Sequence, residues 1–201
     1  MTALRALARY EGIKIPTGST EKITQRMRLA GIKEEFLAQV DLVMAAIDAL
    51  NGLIERADQR LLELVKTNEK AQLLQTMPGI GPLTAAAFCA VIGEPSRFKK
   101  GRQVQSYLGL VPREYSSGDR TRRGRITKAG NPYLRALLVQ AAIRILRYRP
   151  EPARALWSWA AKLAERRGKN VARIALARRL SSVMFAMIRD EAPFQPAIQA
   201  A

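Results

Sequence analysis

The 201-residue sequence contains no histidine and a single cysteine, Cys89. Without imidazole there is no Ser-His or Cys-His pair and no histidine ligand for a metal. One thiol forms neither an internal disulfide nor a zinc knuckle, which excludes a secreted scaffold held by bridges. No uninterrupted apolar run approaches the roughly 20 residues that cross a bilayer. The opening residues MTALRALARYEG intersperse arginine among apolar positions, unlike the apolar core of a secretory signal. These absences lead to the expectation of a soluble protein inside a cell and not in a membrane. At 48% hydrophobic and 25% charged, the chain can bury a core and is not a disordered basic tail.

Carboxylates are also scarce, but only in part of the chain. Residues 1–95 carry 11 basic and 11 acidic side chains, 96–150 carry 14 and 2, and 151–201 carry 9 and 4, within a formal net charge of +17. The excess begins after Pro95, so it marks a region and is not a general device for solubility. Such a region attracts a polyanion, because each Lys or Arg that neutralises a phosphate releases condensed counterions. Nucleic acid is the partner this balance predicts, with a ribosome-like or membrane-surface patch as the alternative.

The patterning is helical. Residues 1–35 read as a short N-terminal helical segment, with Ser19 or Thr20 capping a helix to about Leu29 and a break at Gly31. From Phe36 the apolar positions Val40, Val43, Ile47, Leu50, Ile54, Ala57, Leu61 and Leu64 follow at alternating spacings of four and three. That seam predicts a coiled-coil helix over 36–70, pairing with another copy of the chain or folding into a hairpin within one. A compact C-terminal domain is expected over 71–201. In its first part, about 73–93, Pro78 ends one helix, Gly79 and Gly81 shape a turn and Pro82 opens the next. This resembles a helix-hairpin-helix, in which Gly79 and Gly81 let backbone N–H groups at a helix start approach a phosphate.

The stretch that follows, to about residue 130, is the richest in chemistry. Residues 101–108 read as a helix, and Pro112 to Gly130 as a basic loop or small hairpin. Asn131 and Pro132 form an N-cap and first-turn pair that starts a helix toward Tyr148. A further helix occupies about 153–167, and after a turn at Gly168, Lys169 and Asn170 a last one ends near Asp190, with Trp157 and Trp159 as packing residues. The fold class is therefore mainly α: a long coiled-coil helix, then a helical domain containing the helix-hairpin-helix and a serine loop over about 109–130.

The blocks MPGIGPLTAAAF, FKKGRQVQSYLGLVP, REYSSG and GRITKAGNPYLRALLVQAA occur in this order within about 70–190. In them the sequence resembles the insertion-sequence transposases of the IS-one-ten and IS-one-eleven-eleven groups, the bridge-RNA-guided recombinases. The resemblance implies a parent protein with a RuvC-like domain whose four acidic residues hold Mg2+, a coiled coil that assembles protomers, a guide RNA partner, and a serine that attacks DNA. Nothing before Phe36 supplies the strands and spaced carboxylates of a RuvC-like fold, and Asp41, Asp48 and Asp58 fall within the coil. The expectation is a truncated or naturally shortened member with no cofactor of its own.

The serine that matches the family pattern is Ser117, directly before Gly118, with Ser116 as its rival. A hydroxyl needs a base or nearby positive charge to become a nucleophile. Asp119, Glu114 or a metal-bound water from the RuvC-like domain are alternatives for the base. Arg113, Arg120, Arg122, Arg123, Arg125 and Lys128 are the residues to bind the scissile phosphate and stabilise the transition state. Lys99, Lys100, Arg102, Asn131 and Arg135 complete the expected nucleic-acid contacts. Without the resemblance, a Ser-Ser-Gly sequence reads as an ordinary turn and the arginines as a phosphate-gripping loop. Tyr115 lacks the histidine that accompanies a tyrosine nucleophile.

Overall fold

The computed structural model describes residues 6, 8–10, 12–14, 34–117 and 120–196. The expected helix from Ser19 or Thr20 to Leu29 lies outside them. The described protein is mainly α, with one two-stranded sheet. It divides into two compact units, Met1–Arg60 and Leu61–Ala201.

In the first unit, Ala8, Phe36, Leu37 and Val40 are buried together, with Ile13 and Met44 packed against them. Helix α1, Glu34–Lys66, runs through the predicted seam and continues into the second unit. From Val43 onward most of the stripe emerges into solvent: Leu50 and Ile54 are 58% and 57% exposed, and Val43, Leu53 and Leu64 are exposed with them. Over 18 residues the helix has a mean hydropathy of 1.5 with at most two charged side chains, enough by length and composition to cross a membrane. The same profile belongs to a helix that lays an apolar stripe on another helix, and acidic residues recur along α1 at Asp41, Asp48, Glu55 and Asp58.

The second unit begins with the end of α1. Helix α2, Glu69–Gln75, starts where the Asn68 side chain accepts the N–H of Ala71 at 2.9 Å. Helix α3, Pro82–Ile92, starts at Pro82, whose missing N–H costs nothing in a first helical turn. One 3-10 turn, Pro95–Arg97, precedes α4, Gly101–Tyr107. Strands β1, Pro112–Ser117, and β2, Arg120–Ile126, pair antiparallel. Helices α5, Pro132–Tyr148, α6, Arg154–Arg167, and α7, Lys169–Asp190, complete the unit, with a second 3-10 turn at Glu151–Ala153.

Helix α7 is the centre of this unit and packs against α2, α4, α5 and α6. Its C-terminal half is buried nearly all round through Leu180, Met184, Phe185 and Ile188, as expected of a helix enclosed by others. Helix α5 contributes Leu134, Leu138, Ala141, Ala142 and Ile145, one face at helical spacing. The two tryptophans pack at the edge of this core, where the Trp157 Nε1–H donates to the Pro150 carbonyl at 3.2 Å.

Candidate nucleic-acid interface

The basic stretch folds into a hairpin that is anchored backbone to backbone. The N–H of Thr127 donates to the Val111 carbonyl at 2.9 Å and that of Lys128 to the Gly109 carbonyl at 3.1 Å. Gly109 and Gly130 lie at φ of 65° and 87°, where a side chain is disfavoured. A Cβ on Gly109 would lie 1.9 Å from the Ala129 carbonyl oxygen, and one on Gly130 1.9 Å from that of Tyr107. The two glycines therefore let the chain leaving the hairpin lie directly on the end of α4.

Arg135 tightens the same junction, its Nη1 donating to the carbonyls of Leu108 at 3.0 Å and Ala129 at 3.4 Å. Asn131 accepts the N–H of Leu134 at 3.0 Å and so caps α5. Both residues, expected from sequence to meet nucleic acid, are engaged internally and fix the base of the hairpin.

The ladder pairs Ser117 with Arg120, Ser116 with Thr121, Tyr115 with Arg122 and Glu114 with Arg123, and an irregularity at Arg113 interrupts the register. Neighbouring strand positions alternate between faces. The backbone thus assigns positions 115, 117, 120 and 122 to one face and 114, 116, 121 and 123 to the other. The side chains of Ser116, Ser117, Arg120, Arg122 and Arg123 lie outside the described structure, as does Asp119. Arg125 and Lys128 are exposed, as is Arg113, whose Nη2 donates to the Thr127 carbonyl at 3.4 Å.

Lys99, Lys100 and Arg102 are exposed at the start of α4, where the Gln103 side-chain carbonyl accepts the N–H groups of Lys99 and Lys100. Gly81 is the N-cap of α3 and has open space around its Cβ position. Gly79, at φ 87°, faces inward: a Cβ there would meet Ile145 Cγ1 at 2.7 Å, so this glycine serves the packing of the turn on α5. Among the described residues, no three His, Cys, Asp or Glu side chains come together to hold a metal ion. The described residues therefore offer no fit for the Mg2+ that the resemblance implies. Burial is the main reason that the Cys89 thiol titrates above its ordinary value, outweighing the nearby Lys70, so this thiol is a poor nucleophile.

Residues 71–158, which include the turn before α3, the hairpin and all of α5, match the model of the transposase IS116/IS110/IS902 family. The chain belongs to that family. It is 34% identical over 150 residues to a probable family 20 transposase of Pseudomonas aeruginosa, covering 75% of this chain and 44% of that protein. It is 35% identical over 138 residues to the transposase for insertion sequence element IS1111A of Coxiella burnetii, covering 69% and 38%. A pilin gene-inverting protein of Moraxella lacunata is 32% identical over 152 residues, covering 72% and 46%. The chain of this IS116/IS110/IS902 family member thus spans less than half the length of these relatives.

Several residues that build the site were not singled out from sequence. Gln105 is buried on α4, accepts Arg178 Nε at 2.7 Å and donates to Ser182 Oγ at 2.6 Å, joining α4 to α7 beneath the hairpin. Arg149 and Arg179 lie over the rings of Trp157 and Trp159, at 5.7 Å and 5.0 Å.

Proposed function

We propose that this chain is the strand-gripping and serine-presenting part of a DNA transposase. The observation that carries the reading is a hairpin rich in arginine, held rigidly at its base by Gly109, Gly130 and Arg135. Its cations bind the phosphates beside the reacting one, and the open start of α3 at Gly81 offers further backbone donors. Ser117 attacks phosphorus; the Oγ–P bond forms as the P–O bond to the departing strand breaks. The serine proton passes to a base and the departing oxygen takes up a proton. The phosphoserine linkage conserves the bond for rejoining, and guanidinium groups stabilise the charge of the pentacovalent state. In this reading the protein acts in the cytoplasm near the nucleoid, with a guide RNA and the RuvC-like domain supplied by the parent protein.

The test is a denaturing gel for protein trapped on nicked duplex DNA, in the full-length parent and with divalent metal. Ser117→Ala is expected to abolish the adduct while DNA binding stays within about twofold, since a hydroxyl attacking phosphorus adds little to ground-state affinity. Adducts that persist in a Ser116/Ser117 double alanine variant would overturn the assignment. No adduct from the unsubstituted parent, with DNA binding intact, would favour a binding module that does no chemistry.

The exposed stripe of α1 supports a homo-oligomer through the seam at 36–64. Ile47→Asp with Ile54→Asp is expected to lower the mass measured by light scattering to that of a single chain, with helicity of the second unit retained, because a carboxylate in an apolar seam has no partner. A mass unaltered by both substitutions excludes this seam as the contact.

A further inference from the structure

Two cavities flank the base of the hairpin, and both are lined by Pro112 and Arg178. The first, about 450 Å³, is polar: Arg102 and Arg178 face one carboxylate, Glu114, which has an interaction of its own. The second, about 560 Å³, lies between β2 and α7 and is mainly apolar, with Leu110, Ile126, Val171 and Ile174 among its lining. Among the described residues its rim carries Arg125, Lys128 and Arg178 and no carboxylate. Both volumes fall in the range of about 300–1,000 Å³ usual for small-molecule sites. Gln105 accepts Arg178 Nε at 2.7 Å, which fixes the guanidinium where it lines both cavities. The inner nitrogen thus orients a planar fork of the kind that pairs with phosphate.

A polar cationic cavity beside an apolar one with a cationic rim matches one chemical class: a nucleotide, with an anionic phosphate at one end and a flat apolar base at the other. We infer that the base of the hairpin holds a single unstacked DNA nucleotide, its base between β2 and α7 and its phosphate at Arg178 and Arg102. This deepens the proposed function and rests on it. Extrusion of a base costs a few kcal/mol, and least for a nucleotide that is already unpaired.

The experiment is fluorescence anisotropy of the 201-residue chain with three labelled duplexes: fully paired DNA, the same DNA with one bulged adenosine, and the same with a bulged abasic site. The adenosine bulge is expected to bind about tenfold tighter than the paired duplex, and the abasic bulge to lose that preference. Ala175→Phe, which fills the apolar cavity, is expected to abolish the preference and leave paired-duplex affinity unchanged. Arg178→Met, checked for folding by circular dichroism, is expected to reduce the preference at least threefold. Equal affinity for paired and bulged DNA, or a preference that survives both substitutions, overturns the inference while leaving DNA binding intact. A preference confined to a bulged RNA strand also overturns it. Failure to bind any of the duplexes overturns the proposed function together with it.

Discussion

Gly109→Ala is expected to destabilise the second unit by about 4 kcal/mol and to lower its melting temperature by roughly 10 °C. Two penalties act together. The left-handed conformation at φ 65° costs a non-glycine residue on the order of 1–2 kcal/mol. The new Cβ also lies 1.9 Å from the Ala129 carbonyl oxygen, a backbone atom that moves only if the hairpin exit moves with it. The natural control is Gly81→Ala, where φ is −96° and no heavy atom lies within 4 Å of the Cβ position. That change removes a favourable N-cap residue and is expected to cost less than about 1 kcal/mol. Thermal unfolding followed by circular dichroism distinguishes the two. A Gly109→Ala melting temperature within about 2 °C of the native one would mean that the hairpin is not seated on α4 as described.

Neutralising the hairpin should have the largest effect on affinity. Arg120, Arg122, Arg123 and Arg125 replaced together by glutamine are expected to weaken duplex binding on the order of 10²-fold at about 0.1 M salt, and to reduce the slope of log K against log salt by roughly three. The slope is the more informative quantity, because it counts phosphates neutralised and is insensitive to a modest loss of active protein. Replacing Lys162, Arg166 and Arg167 on α6 is expected to change the slope by less than about one. Equal losses from the two sets would assign affinity to overall charge and not to the hairpin.

Legibility in the sequence followed the range of the interaction. The start of α5 was readable because its cap is local: Asn131 bonds a backbone N–H only three residues away. The start of α3 was readable from Pro82 for the same reason. Arg135 was readable as a basic residue near a loop, but its actual partners, Leu108 and Ala129, approach only after α4 and α5 have packed. Gln105 and Arg178 are 73 residues apart and nothing local joins them. The alternatives of loop and hairpin at 112–130 stayed open in sequence because the segment has no apolar alternation to set a register.

Composition and local pattern alone determined the mainly helical class, the confinement of positive charge to the chain after Pro95, and the exclusion of histidine and disulfide chemistry. These depend on which residues are present and on spacings within a few turns. Tertiary structure alone decided that Gly79 packs against Ile145, that Arg135 reaches the carbonyls of Leu108 and Ala129, and that two cavities meet at Arg178. Those outcomes depend on which carbonyl or ring lies across from a side chain, and packing of distant segments brings that neighbour into place.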